Sequence, residues 1–180
     1  KTITTDFLAY PTLYTYCLTL LFTVIGSVGT ALGTFAEWGG SMLAFYDACP
    51  GPLHVIARTV TALFGAGTVW LTWLLGVRLF SPRTGLVAAL CLTFSYTHVL
   101  ASHYATTDVP ATFFVLLTVL LAQRIFTGSD SGREYLYAGL FAGLAAATKY
   151  SAGLVFASII AAMIWGTSPV ARLQRRSYCS

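Results

Sequence analysis

Apolar residues gather in six runs, at about 12–34, 55–80, 85–102, 109–126, 135–148 and 150–167, divided by short connections that hold most of the charged side chains. About 20 consecutive apolar residues carry a helix across a bilayer core, so the pattern predicts membrane helices, the shortest runs falling below that length. The expected fold class is all-α, a polytopic integral membrane bundle. It divides into an outer-face segment, 1–54, holding an interfacial or re-entrant helix at about 12–34, and a bundle of about five helices over 55–167. A basic cytoplasmic end, 168–180, follows.

Composition excludes a soluble domain. The chain of 180 residues is 57% hydrophobic and 9% charged, with a mean hydropathy of +0.75, far from the balance of soluble proteins. Asp6 interrupts the approach to the first run and more runs follow, which argues against a cleavable signal. The start at Lys1 without a methionine, and the end in "ARLQRRSYCS" just after an apolar run, lead us to expect a piece of a longer protein. Cys17, Cys49, Cys91 and Cys179 are scattered and form no CxxC pair, so neither zinc nor a redox motif is indicated. The net charge of +4 comes from arginines that flank apolar runs, and no nucleic-acid partner is expected.

Those arginines set a topology. Seven of the ten basic residues lie in three places: Arg78 and Arg83, Arg124 and Arg133, and Arg172, Arg175 and Arg176. Positive charge marks the cytoplasmic side, which puts the connections "SHYATTD" and "TKYS" on the outer side. A crossing by 12–34 would then move Arg78 and Arg83 outside. The run is therefore expected to enter and leave on the outer face, with Tyr10, Tyr14, Tyr16, Trp38 and Tyr46 at headgroup level. A simple transmembrane helix is the alternative, since 23 residues suffice to span. Gly139 and Gly143, with Ala138, Ala142 and Ala145 nearby, have the small-residue spacing that lets helices approach in lipid; "TALFGAG" at 61–67 reads the same way. No internal repeat or Gly-rich phosphate loop is evident.

What topology leaves unexplained is a mixture of acids and cations at the outer face: Lys1, Asp6, Glu37, Asp47, His54, Arg58, His98, His103, Asp108 and Lys149. A site handling a phosphate and a hydroxyl needs such a mixture, a carboxylate to accept a proton or hold an acceptor and cations to neutralise a phosphate. Asp108, before an apolar helix with Pro110 in its first turn, reads equally as an N-cap, and the two roles are compatible. His98 and His103 lie five apart, off the spacing that places two metal ligands on one helical face. Arg58 either snorkels to the interface or holds an anionic lipid phosphate. Lys149 either caps the carbonyls ending the preceding helix or binds phosphate.

Three stretches taken in order resemble a known group: "AYPTLYTYCLTLLF", the long segment from "ARTVTALFGAG" through "GVRLFSPRTG" to "ASHYATTDVPATFFVLL", and "YAGLFAGLAAATKYSAGLV". They are similar to lipid-dependent glycosyltransferases of the GT-C type, the protein O-mannosyltransferase and aminoarabinose transferase group, over about residues 8–160. The resemblance implies inverting transfer of a hexosyl, mannosyl or pentosyl group from a polyprenyl- or dolichyl-phosphate donor to a hydroxyl of a protein, glycan or lipid acceptor on the outer or lumenal face. It also implies an integral, multi-pass protein, here taken as prokaryotic plasma membrane, whose partners are membrane lipid, the lipid-linked sugar and the acceptor. No cofactor is implied, and a divalent metal is left undetermined. Asp108 matches the group's second outer acidic position and, with His103, is the catalytic expectation. Arg58, Lys149, Tyr10 and Tyr104 are the substrate-binding expectations. The group's first-loop Asp-Glu pair is missing ahead of "KTITTDFLAYP", so the sequence alone is expected to be catalytically incomplete. Tyr10 also stands where relatives often carry a lysine. The rival is a transporter or permease, which places ionisable residues near the midplane within inverted repeats; a structural subunit would use Asp108 only as a cap.

Overall fold

The computed structural model describes residues 13–127 and 132–166, which form helices joined by short connections, without strands among the described residues. The helices are α1 (Leu13–Ala31), α2 (Met42–Ala48), α3 (Gly51–Leu79), α4 (Pro82–Thr93), α5 (Tyr96–His103), α6 (Asp108–Phe126), α7 (Gly132–Thr148) and α8 (Phe156–Gly166). Short 3-10 turns lie at Ala36–Trp38 and Tyr150–Val155. The basic end expected at 168–180 lies outside the described residues.

Punctuation residues explain the boundaries. α3 starts earlier than the apolar run because Pro52 occupies its first turn, where a missing N–H costs nothing. α4 begins at Pro82 behind Ser81, whose hydroxyl accepts from the Thr84 N–H at 3.2 Å. The run expected as a single helix at 85–102 is instead α4 and α5, bent by 59°. Phe94 leaves helical geometry at ψ 0° and Ser95 is extended, in a "TFSYT" stretch whose β-branched and hydroxylated residues hold a helix weakly. The run at 150–167 opens as a 3-10 turn and becomes α-helical only at Phe156. α1, α3 and α6 are long and apolar enough to cross a membrane, and the bent α4–α5 pair makes a fourth if counted as one span.

Packing fixes the directions of the helices. A Cβ placed on Gly65 would stand 3.7 Å from Val109, and one on Gly67 would stand 2.6 Å from the Phe113 ring, so α3 and α6 run in parallel with α3 residues 65–67 beside the first turns of α6. α3 is about 43 Å long and α6 about 28 Å at 1.5 Å per residue. The first part of α3, from Gly51 to about Phe64, therefore projects beyond the start of α6 by roughly 20 Å. At the opposite, lower end, Gly76 and Gly85 let α3 and α4 touch backbone to backbone, and Gly166 of α8 abuts Phe126 of α6. Arg124 and Glu134 meet across the α6–α7 turn at 3.8 Å. Arg78, Arg83, Arg124 and Arg133 all belong to this lower end.

Close contact between α6, α7 and α8 rests on small residues, as helix association in lipid requires. Ala138, Ala142 and Ala145 are fully buried, and Ala122, Ile125, Ile159 and Ala162 pack in the same interior. Gly139 and Gly143, expected to share this approach, lie off it, with nothing near the position of an added Cβ. The rotation of α7 puts the alanines, and not the glycines, on the inward face. Leu63, Trp70, Phe80, Leu136 and Ile164 stay exposed on the outside, where lipid, as apolar as they are, covers them.

α1 keeps company with the projecting part of α3. The Tyr14 hydroxyl pairs with the Thr61 hydroxyl at 2.5 Å and approaches the Ala57 carbonyl at 3.4 Å. Tyr14 is 5% exposed, packed against α3 because Thr61 offers its hydroxyl a partner. Tyr16 remains exposed. Along α1, Gly26 meets Met42 of α2 and Gly29 meets Phe35. The connection after α1 reverses through Gly33, Gly39 and Gly40, each with φ near +70°, a backbone that glycine adopts without penalty.

Candidate functional site at the upper end of the bundle

α5 ends, α6 begins and α7 gives way to a 3-10 turn at one level of the bundle, beside the projecting part of α3. Asp108 is the first residue of α6, with Thr107 in the N-cap position and no side-chain cap hydrogen bond there. Its carboxylate accepts instead from the Lys149 ammonium. The N-cap reading of Asp108 is thereby corrected: the helix dipole still favours a negative charge in the first turn, while the carboxylate points at a cation from another element.

Lys149 reaches it because the chain becomes extended between α7 and the 3-10 turn, at φ −152° and ψ 124°. Its backbone N–H closes α7 on the Ala145 carbonyl at 2.9 Å, while its side chain crosses to α6 and leaves the capping role aside. Both partners are about half exposed, at 41% for Lys149 and 55% for Asp108. Such a pair holds weakly and exchanges partners readily.

A groove of about 480 Å³ opens nearby between the projecting part of α3 and the end of α5, with Arg58, Thr59, Ser102, His103 and Tyr104 in its wall. Thus Arg58, His103 and Tyr104, separate in sequence, share one cavity, while Asp108 and Lys149 share an ion pair at the adjoining helix start. The contacts of Gly65 with both Ser102 and Val109 tie the two features to one level. The His103 Nδ1 lies 2.8 Å from the Val99 carbonyl; a carbonyl only accepts, so Nδ1 carries the hydrogen and a neutral ring keeps Nε2 as an acceptor. Tyr10 lies outside the described residues.

Beside the start of α6 is an apolar cavity of about 300 Å³ between α1, α3, α6 and α7, bounded by Leu13, Cys17, Val60, Phe64, Pro110 and Leu144. Phe64 and Phe114 of its wall form an aromatic cluster with Phe113, with ring centroids 5.3 to 5.8 Å apart. Cationic and hydroxylated side chains at the same end of the bundle as an apolar slot suit an amphiphile with an anionic head and a hydrocarbon tail.

Sequence reasoning missed Ser102, Thr59 and Thr106. The Thr106 hydroxyl, two residues before Asp108, is buried without a partner. The signal is present in "SHYATTD", where every hydroxyl is a candidate, but pattern alone ranks none of them. Among the described residues no group of three His, Cys, Asp or Glu could hold a metal ion.

A family model described as dolichyl-phosphate-mannose-protein mannosyltransferase matches residues 51–178. An uncharacterized protein of Aquifex aeolicus (strain VF5) is 37% identical over 101 residues, a match covering 54% of this chain and 20% of that relative. The matched part of the chain thus corresponds to about a fifth of the relative's length. No solved structure matches.

Proposed function

The chain belongs to the dolichyl-phosphate-mannose-protein mannosyltransferase family, and on that premise we propose that it forms the donor-handling part of an integral membrane glycosyltransferase that moves a sugar from a polyprenyl- or dolichyl-phosphate donor to an acceptor hydroxyl at the outer or lumenal face. The observation that carries this reading is that the Asp108–Lys149 pair, the groove holding Arg58, His103 and Tyr104, and an apolar slot all lie at one end of the bundle. Arg78, Arg83, Arg124 and Arg133 lie at the other end, which the positive-inside rule assigns to the cytoplasm. On this reading α1 lies at the outer surface beside the projecting part of α3.

In the proposed reaction the acceptor oxygen attacks the anomeric carbon, the bond from that carbon to the phosphate oxygen breaks, and polyprenyl phosphate departs with inversion. The isoprenoid enters the slot bounded by Val60, Phe64 and Pro110. Arg58 and Lys149 neutralise the phosphate as its charge grows with bond breaking, an interaction strongest where water is excluded. An arriving phosphate competes with Asp108 for Lys149 and frees the carboxylate to orient an acceptor or sugar hydroxyl. His103, through Nε2, offers a second acceptor for that proton, and Tyr104 donates a hydrogen bond.

The test is transfer of radiolabelled sugar from a polyprenyl-phosphate donor in membranes by the full-length protein that contains this sequence, comparing wild type with Asp108→Asn at matched expression. Asn keeps the size and the acceptor oxygen of Asp and removes only the negative charge, so loss of transfer with normal insertion supports a carboxylate role, and full retention removes Asp108 from the site. Absence of transfer from every polyprenyl donor by the wild type points to the transporter reading.

A further inference from the structure

A larger cavity, of about 810 Å³, lies on the opposite side of the projecting part of α3, in the angle between α1, α2 and α3. Its α1 and α2 walls precede residue 51 and so fall outside the family match. Volume of this order accommodates a ligand of several rings.

The chemistry of the wall is specific. Thr19, Thr23 and Ser27 repeat at intervals of four along one face of α1, and each lines the cavity. Each hydroxyl donates to the carbonyl four residues earlier, at 2.8 to 2.9 Å. Having spent their hydrogens on the helix, these oxygens face the groove as acceptors. Across from them stand Ser41 and Tyr46 of the α2 segment and His54 of α3, with the Tyr46 and His54 rings 6.1 Å apart. Among the described residues neither an acid nor an arginine or lysine lines the groove, in contrast to the Arg58 groove on the other side of the same helix.

From this wall we infer that the α1–α2–α3 groove binds a neutral saccharide. A sugar supplies many O–H donors for a row of acceptor oxygens and an apolar C–H face for an aromatic ring. A phosphate or a peptide carboxylate finds no cation among the described lining residues. An acyl chain would leave the hydroxyl row without use, although those oxygens, already bonded to the helix, would tolerate it. The inference rests on the glycosyltransferase reading in assigning the saccharide as acceptor: α3 then separates an anionic-donor groove from a neutral-acceptor groove.

The experiment is saturation-transfer NMR with mannobiose as probe, on the protein in nanodiscs of neutral lipid. Saturation transfer is expected for wild type, and the variant T19V/T23V/S27A, which nearly keeps side-chain size and removes three acceptors, should weaken binding roughly tenfold or more, three hydrogen bonds at their usual net strength. Tyr46→Ala, on a separate element, should weaken it independently, which guards against misfolding of the triple variant. Leu63→Ala, on the exposed outer face of α3 and outside the groove wall, should leave mannobiose binding unchanged. Absence of saturation transfer in wild type, equal signals in wild type and triple variant, or loss confined to Leu63→Ala each overturns the inference. Mannobiose binding without sugar transfer from any donor retains the groove and removes its acceptor assignment. Transfer without mannobiose binding retains the glycosyltransferase and removes the groove.

Discussion

Replacing Lys149 with Met separates a structural ion pair from a functional one. Met keeps the apolar stem of lysine and deletes the ammonium that Asp108 accepts from. With side chains 41% and 55% exposed, the pair contributes about 0 to 1 kcal/mol to stability. For a chain of this size that corresponds to a melting shift of at most about 4 °C. A cation that stabilises charge growing on a leaving phosphate is worth far more, about 100- to 1,000-fold in turnover. Sugar transfer and thermal unfolding are measured on the same purified Lys149→Met protein. A large fall in transfer with unfolding nearly unchanged is expected. Transfer within about threefold of wild type refutes the role of Lys149 at the phosphate, and a parallel collapse of both shows that the pair holds the fold.

Thr61→Val strands the buried Tyr14 hydroxyl with only the Ala57 carbonyl at 3.4 Å, so α1 should loosen by about 1 to 2 kcal/mol, read as faster amide exchange confined to α1. Gly85→Ala places a methyl 2.6 Å from the Trp73 carbonyl and 2.8 Å from the Val77 nitrogen; because both are backbone, α3 and α4 must part, and a lowered melting temperature is expected. Gly143→Ala meets nothing within 4 Å and should be neutral or stabilise by about 0.5 to 1 kcal/mol, whereas Ala142→Leu, at a fully buried contact, should prevent α6–α7 closure. Equal thermal stability of those two variants would contradict the assignment of the packing face.

Several features are legible in the amino-acid pattern. Six apolar runs against a low charge content leave helices in a membrane as the physical solution, and arginines concentrated in three connections order their ends. Asp108, His103, Arg58 and Lys149 stand out because ionisable groups are costly near lipid. The break at Phe94–Ser95 is harder to read, since a run of apolar residues fixes hydrophobicity and leaves the axis free to bend. Which residues of "GLFAGLAAATK" face inward is equally hidden, because glycine and alanine both satisfy a small-residue pattern and only the helix rotation chooses between them.

A helical membrane protein with a polar end and a basic end follows from the order of residues, because hydrophobicity and charge are local properties that each segment carries alone. That Lys149 neutralises Asp108, that Arg58 shares a groove with His103 and Tyr104, and that Tyr14 is buried on Thr61 come from the folded bundle. Those pairings depend on helix length, rotation and the roughly 20 Å by which α3 outreaches α6, and these relations between distant segments are set by how ridges and small residues fit when the bundle closes.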